Sequence, residues 1–350
     1  MPQFILLRGA KQLLTLHGPS GERRGAALHE LGIIEDGSVL IRDGVIVSVG
    51  TTRRLENLKE ARSAREISVN GRLVMPGFVD PGLGLSLDRP GEEHRRKRMT
   101  EFHDDSLSLL RSCLQHGTLA GELKVTAHSI DLSTDVSLLR KLAKFGSNPV
   151  RTIRTWRIDA LPAPLKIAEH DIANTFALLV RRGLLHGFEV TSDSEASVSD
   201  QVLAEARLLG IRSKLVWKGG SPERLSQLID RLQPATIASS IEISESEASI
   251  LSQAPAVAVF TAGRQAFEGG VDRSVRRVAD SGGAIALSSG YESSCAGSYS
   301  MQMVIALGVA RFNLSPEEAI SAATINAAYA PDAATSLAAS NTERMPTYWL

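Results

Sequence analysis

The residues best suited to chemistry in this sequence are a glutamate and a lysine that alternate along one short segment. Glu122 and Lys124 lie in LAGELKV at residues 119–125, which predicts a β-strand. Side chains two residues apart on a strand share a face, so the two groups are expected to point the same way. They are candidates for proton transfer in a pocket, and equally candidates for a structural ion pair.

Two further candidates, His128 and Cys295, follow predicted strands in loops. The imidazole of His128 can act as an acid or base if it points into a site, whereas a surface-loop histidine needs no such role. Cys295 is a possible nucleophile, but a thiol needs a neighbouring base or positive charge to form thiolate. No histidine lies near Cys295 in sequence, so an inert thiol is the simpler interpretation.

The sequence contains no recognisable metal-binding motif. Its eight histidines are His17, His29, His94, His103, His116, His128, His170 and His186, and none forms an HxH or HExxH pair. Catalytic zinc or iron sites need several imidazole and carboxylate ligands that converge on one point. We therefore predict no metal and no other cofactor.

Eight short apolar segments, separated by helical patterns, must position these residues. The predicted strands are residues 77–80, 119–125, 150–156, 187–191, 211–217, 235–239, 256–261 and 284–288. Several of the intervening helical patterns open on serine or aspartate, which are favoured N-cap residues. Eight β/α units in about 250 residues is the size of a (β/α)8 TIM barrel.

A doubly wound open sheet is the alternative fold. Such a sheet usually carries a glycine-rich phosphate-binding turn after its first strand. GLG at 82–84 does not complete a GxGxxG motif because position 87 is leucine, and no helical pattern follows at once. The barrel is therefore favoured.

Residues 1–72 predict a small β-sandwich domain. Asp43-Gly44 between apolar segments is a strong hairpin signal, because glycine accepts the positive φ of a tight turn, and Asp36-Gly37 predicts a second turn. We expect the barrel to occupy residues 73–332, and residues 333–350 to contribute at most one strand, at 347–350, to the small domain.

Composition limits the kinds of partner and compartment. The chain has 350 residues, with 39 basic and 39 acidic side chains, so charge favours neither nucleic acid nor an anionic membrane as a partner. Two cysteines are too few for a disulfide framework. The N-terminus MPQFILLRGAKQLL has no basic region before its apolar run, and no apolar stretch is long enough for a membrane span. We expect a cytoplasmic protein.

Four segments resemble the amidohydrolase superfamily, and within it the imidazolonepropionase branch. They are LGIIEDGSVLIRDGVIVSVG at 31–50, VMPGFVD at 74–80, GELKV at 121–125 and SMQMVIALGVARFNLSPEEAISAATINAAYA at 300–330. The resemblance implies a TIM barrel with a small β-sandwich domain. It also implies a hydrolase of cyclic amides or other non-peptide C–N bonds that uses a metal-bound water.

The residues at the family's ligand positions do not match that activity. The first-strand histidine pair of the family falls on Gly82 and Gly84, the fifth-strand histidine on Val216 and the sixth-strand histidine on Ser239. The eighth-strand aspartate falls on Gly290. Glycine and valine side chains cannot bind a metal, and a neutral serine hydroxyl is a weak ligand.

We therefore interpret the chain as an amidohydrolase-fold protein without catalysis, a pseudoenzyme that acts as a structural or binding subunit. Its expected partners are a second copy or a related subunit, with a small-molecule ligand as a further possibility. The alternative is a hydrolase with a displaced or metal-free site built from Glu122, Lys124, His128 and Cys295.

Overall fold

The computed structural model describes residues 3–84, 106–126, 139–140, 150–158, 169–193, 200–239, 241–262, 273–291 and 298–330. His128, Cys295 and the predicted strand at 347–350 lie outside the described residues.

The N-terminal residues form a small β domain built on one mixed sheet. Its strands are β1 (Phe4–Leu14), β2 (Ile33–Arg42), β3 (Val45–Thr51), β4 (Arg65–Ser68) and β5 (Leu73–Val74). They lie in the order β3-β2-β1-β4, with β5 also beside β1. The pairings of β1 with β2 and of β2 with β3 are antiparallel, whereas β4 and β5 run parallel to β1.

Only one of the two predicted turns in this domain is correct. Asp43 and Gly44 connect β2 to β3 with φ angles of 49° and 79°, as a primed hairpin turn requires. Asp36-Gly37 instead lies inside β2, where Gly37 pairs with Ala10 on one side and Thr51 on the other. Pairing with two neighbouring strands thus outweighs the local turn preference, and the positive φ of Asp36 remains as an irregularity within the strand.

Two short helices, α1 (Thr52–Glu56) and α2 (Lys59–Arg62), follow β3 and cover one face of this sheet. Leu55 and Ala61 from these helices pack with Leu6 and Leu40 from the strands. Burial of these apolar side chains is what holds the helices on the sheet, because neither helix has a side-chain cap or the length to be stable alone.

The second unit is the predicted eight-stranded parallel barrel sheet. Its strands are β6 (Phe78–Gly84), β7 (Thr118–Thr126), β8 (Arg151–Ile158), β9 (Gly187–Thr191), β10 (Ser213–Trp217), β11 (Thr236–Ser239), β12 (Val257–Thr261) and β13 (Ile285–Ser288). They pair in sequence order from β6 to β13. This sequential parallel order, with helices between the strands, confirms the TIM barrel prediction.

Helices surround the barrel on its outside. They are α3 (residues 106–115), α4 (Glu169–Arg181), α5 (Asp200–Leu208), α6 (Pro222–Leu232), α7 (Glu245–Gln253), α8 (Ser274–Asp280), α9 (Met301–Phe312), α10 (Pro316–Ala323) and α11 (Ile325–Tyr329). Their apolar faces meet the outward side chains of the strands, including Phe188, Trp217 and Phe260, in one large core. The Trp217 indole donates to Glu247 Oε1 of α7 at 2.6 Å, so its polar edge is satisfied inside that core.

The helix signals in the sequence correspond to real caps. Ser244 and Ser315 each form a capping box, with Glu247 and Glu318 respectively. The segment after Ser315 forms two helices rather than one, because Thr324 has a non-helical φ of −123° and ψ of −89°. Among the described helices, none combines the length and the apolar character needed to cross a membrane.

The segment that follows β1 is tied to the C-terminal helix α11 and to the barrel. Asn326 Oδ1 accepts from the Arg23 backbone N–H at 2.6 Å, and Asn326 Nδ2 donates to the carbonyls of Arg23 and Ile285 at 2.9 and 2.8 Å. Asn326 is fully buried. This one amide therefore connects the N-terminal segment, the last helix and strand β13.

Replacing Asn326 with alanine should destabilise the whole protein. The change leaves one backbone N–H and two carbonyls buried without this partner, each of which costs about 1–3 kcal/mol. We expect a loss of at least ~2 kcal/mol in the free energy of unfolding in urea. Asn57→Ala, which removes an exposed side-chain bond to Arg53, is the matched control and should change little. An Asn326→Ala protein as stable as the control would contradict this role.

Candidate functional site

All five predicted ligand positions lie at the same end of the barrel. Gly82 and Gly84 close β6, Val216 is the penultimate residue of β10, Ser239 ends β11 and Gly290 follows β13 by two residues. The carboxyl ends of parallel barrel strands form the face on which TIM-barrel enzymes carry their active sites. The five positions therefore lie at the end of the barrel where a site would be, and their correspondence to the family's metal ligands stays a prediction.

The first and last barrel strands are joined at this end by the carboxylate of Asp80. Asp80 Oδ1 accepts from Ser288 Oγ at 2.9 Å, from the Ser289 N–H at 3.2 Å and from the Gly82 N–H at 3.1 Å. Asp80 is completely buried, and Oδ2 has no hydrogen-bond partner among the described residues. Burial raises the pKa of this carboxyl, and the bonds from Ser289 and Ser288 only partly offset that effect.

The space next to Gly82 is filled by the side chain of Ser288. A Cβ atom built on Gly82 would lie 2.5 Å from Ser288 Oγ and 3.4 Å from Ser288 Cβ. The first distance is well inside van der Waals contact, so no larger side chain fits at this position unless Ser288 moves. Ser288 Oγ also accepts from the Gly290 N–H at 3.1 Å, which holds it in place.

Below this end, the barrel interior contains two clusters of paired charges. Lys214 Nζ lies 2.5 Å from Glu122 Oε1 and 3.3 Å from Thr155 Oγ1. Glu189 accepts from both Lys124 Nζ and Arg157 Nε, the latter at 2.8 Å. Glu122 and Lys124 thus do share the interior face, but each pairs with a residue from another strand rather than with the other.

Burial and ion pairing oppose each other at both buried groups, and a different one dominates at each. Burial alone raises the pKa of Glu189, but the positive charges of Lys124 and Arg157 outweigh it and bring the pKa down to about 2. For Lys214, burial lowers the pKa more than the neighbouring Glu122 carboxylate raises it. Glu189 is thus firmly ionised at neutral pH, and Lys214 depends on Glu122 to remain charged.

The sequence predicts only part of this interior. Glu122 and Lys124 were found because they alternate on one predicted strand, but Arg157, Glu189 and Lys214 were missed. A signal was present, since Glu189 and Lys214 each interrupt an apolar strand segment, and a charge on a buried strand needs a partner. The remaining two candidates, His128 and Cys295, fall outside the described residues.

The described residues do not fit a catalytic metal ion of the kind that the family resemblance implies. No three histidine, cysteine, aspartate or glutamate side chains among them converge closely enough to hold one. Val216 shares the inward face of Lys214 two residues earlier and offers no donor atom. The Ser239 hydroxyl donates to the Ile241 carbonyl at 2.7 Å, and the Ser288 hydroxyl fills the space beside Gly82.

Sequence comparison finds relatives along nearly the whole chain. No family model matches it. The imidazolonepropionase of Chloroflexus aggregans is 27% identical over 383 residues, which cover 94% of this chain and 87% of that protein. The imidazolonepropionase of Deinococcus radiodurans is 29% identical over 372 residues, covering 93% and 87%. The chain is thus similar to imidazolonepropionases over nearly its whole length.

Solved structures show the same fold for this amidohydrolase-like chain. Escherichia coli guanine deaminase superposes with a TM-score of 0.65 at 16% identity, covering 95% of this chain and 84% of that one. The zinc complex of atrazine chlorohydrolase from Arthrobacter aurescens TC1 superposes with a TM-score of 0.69 at 13% identity, covering 93% and 82%. At these identities the likeness establishes the architecture alone.

The buried Glu189 carboxylate should make the stability of the protein depend on acid pH. Its pKa is depressed to about 2 from an unfolded value of about 4.3. Its stabilisation is therefore complete above pH ~4.5 and is lost as the pH falls towards 2, by about 3 kcal/mol in all. Glu189→Gln should be clearly less stable at pH 7, because it leaves Lys124 and Arg157 without their anion.

The measurement is the free energy of unfolding of wild type and Glu189→Gln between pH 7 and pH 3. The difference between the two proteins should narrow steadily below pH ~4.5. Asp200→Asn provides the control, because the Asp200 side chain is 92% exposed although it contacts Arg231. A wild-type to Glu189→Gln difference that stayed constant with pH would show that the Glu189 carboxylate is not preferentially stabilised in the folded state.

Proposed function

We propose that this amidohydrolase-like chain does not carry out metal-dependent hydrolysis and acts instead as a structural or binding subunit. The observation that carries the proposal is the Ser288 hydroxyl, which occupies the place of a side chain at Gly82. A metal-activated water needs ligands that hold the metal and leave one position open. At position 82, which the resemblance assigns to a ligand, a Cβ atom would lie 2.5 Å from Ser288 Oγ, so no ligand side chain fits unless Ser288 moves.

The paired charges in the interior support the same proposal. Two carboxylates in the barrel interior are already paired with cations. Glu122 pairs with Lys214, and Glu189 pairs with both Lys124 and Arg157. Glu189 is a poor general base, because the charges of Lys124 and Arg157 lower its pKa to about 2. These residues stabilise the barrel in their present pairing and would have to exchange partners to move a proton.

The proposed subunit assembles with itself or with a related amidohydrolase-like chain, with a small-molecule ligand as a further possibility. This proposal rests on a scaffold that matches imidazolonepropionases over 93–94% of the chain but has no cluster of metal-ligating side chains among the described residues. Light scattering after size-exclusion chromatography, together with co-purification from the native source, tests this part. A monomer recovered without a stoichiometric companion would contradict the assembly role.

A hydrolase of a cyclic amide is the second candidate, and one observation favours it. Asp80 Oδ2 is buried without a partner among the described residues, and burial raises the pKa of this carboxyl, as in many acid–base sites. In this alternative, Glu122, Lys124, His128 and Cys295 would form a displaced or metal-free site.

A turnover assay separates the two candidates. The protein is incubated with a panel of cyclic amides and amino-substituted heterocycles, with and without added zinc, iron or manganese. The Chloroflexus aggregans imidazolonepropionase serves as positive control, and products are followed by mass spectrometry. We expect no turnover by this chain under any condition.

Two positive outcomes would overturn that expectation in different ways. Turnover that requires an added metal and is lost with a chelator would restore the metal-dependent enzyme. Turnover without metal that is lost in Glu122→Gln, but retained in Glu205→Gln on the outer helix α5, would establish the displaced site. The two variants must show similar melting temperatures to wild type for this comparison to hold.

A further inference from the structure

The neighbouring side chain, and not the backbone conformation, is what requires glycine at position 82. It is not among the residues with positive φ, so its backbone is one that other amino acids adopt. The obstacle to a side chain is Ser288 Oγ, which lies 2.5 Å from the position of a Cβ atom. Both residues are buried, so a side chain at position 82 cannot turn towards solvent to avoid the clash.

Ser288 cannot move without disturbing other buried groups. Its hydroxyl donates to Asp80 Oδ1 at 2.9 Å, accepts from the Gly290 N–H at 3.1 Å and lies 3.3 Å from the Gly82 carbonyl. Rotation of the hydroxyl away from Gly82 would remove a donor from a buried carboxylate that already has one oxygen without a described partner. Leaving buried polar groups unpaired is costly.

We infer that Ser288 is the residue that excludes a ligand side chain from position 82, and that Gly82, Ser288 and Asp80 form one interdependent unit. A histidine introduced at position 82 alone would therefore not restore a ligand there, because the Ser288 hydroxyl occupies the space that the histidine Cβ atom needs. This inference deepens the proposed function and rests on it, since it explains why the first-strand position cannot simply revert.

A double-mutant cycle on Gly82 and Ser288 tests the unit through stability, independently of activity. In the wild-type background, Gly82→Ala should raise the equilibrium constant for unfolding at least ~10-fold, because it displaces the Ser288 hydroxyl from Asp80. In a Ser288→Ala background no hydroxyl remains. The nearest atom of residue 288 is then its Cβ, which lies 3.4 Å from the position of a Cβ atom at residue 82. There, Gly82→Ala should change the constant by less than ~3-fold.

Gly187→Ala is the matched control. Gly187 is also a buried barrel glycine, but a Cβ atom there would meet Thr155 Oγ1 at 3.5 Å and Lys214 Cε at 3.6 Å, which is ordinary contact. It should therefore cost little in either background. If Gly82→Ala fails to fold, recovery of soluble, cooperatively unfolding protein in Gly82→Ala with Ser288→Gly supports the unit, and failure to recover overturns it.

Two other results would also overturn the inference. One is a Gly82→Ala protein as stable as Gly187→Ala, and the other is a Gly82→Ala cost that is the same in both backgrounds. Either result would remove the steric observation behind the proposed function, but neither measures catalysis, so the proposed function itself is judged by the turnover assay. Metal-dependent turnover by the wild-type protein would instead remove the proposed function, whatever the outcome of the cycle.

Discussion

The Asp80 carboxylate is the interaction on which this end of the barrel depends. Among the described residues, backbone pairing runs from β6 through β13 but no ladder joins those two strands to each other. Asp80 joins them, because one of its oxygens accepts from Gly82 on its own strand and from Ser288 and Ser289 at the end of β13. A buried carboxylate is costly, and these hydrogen bonds are what make its position tolerable.

This arrangement has consequences for everything around the mouth of the barrel. Ser288 must face Asp80, so its hydroxyl lies against Gly82. Gly82 must then lack a side chain, so position 82 at the end of β6 has no side-chain atom that could bind a metal. The interior charges are likewise occupied with one another, because Lys214 with Glu122 and Glu189 with Lys124 and Arg157 satisfy each other across the strands. Both features hold the barrel together without requiring a metal, which supports the proposed subunit role.

The sequence predicted the architecture well because the signals for it are local. Apolar segments and serine N-caps locate strands and helices one at a time, and the sequential barrel follows from their alternation. It also located Gly82, Val216, Ser239 and Gly290 at strand ends, through the resemblance to imidazolonepropionases. The turn predicted at Asp36-Gly37 is wrong, because pairing on both sides of β2 outweighs the local turn preference.

The partners of buried polar groups could not be predicted in the same way. Asp80 and Ser288 are separated by 208 residues and Glu122 and Lys214 by 92, and only barrel closure brings each pair together. Nothing local in the sequence distinguishes Ser288 from the other serines near it, so the residue that fills the space beside Gly82 could be found only from the three-dimensional structure.

The most direct test of this account is the metal content of the protein purified from its native source. Inductively coupled plasma mass spectrometry on the purified, dialysed chain measures zinc, iron and manganese together. We expect far less than one of these ions per chain. About one tightly bound ion per chain would mean that a complete ligand set exists, and would contradict the proposal that this barrel has no catalytic metal site.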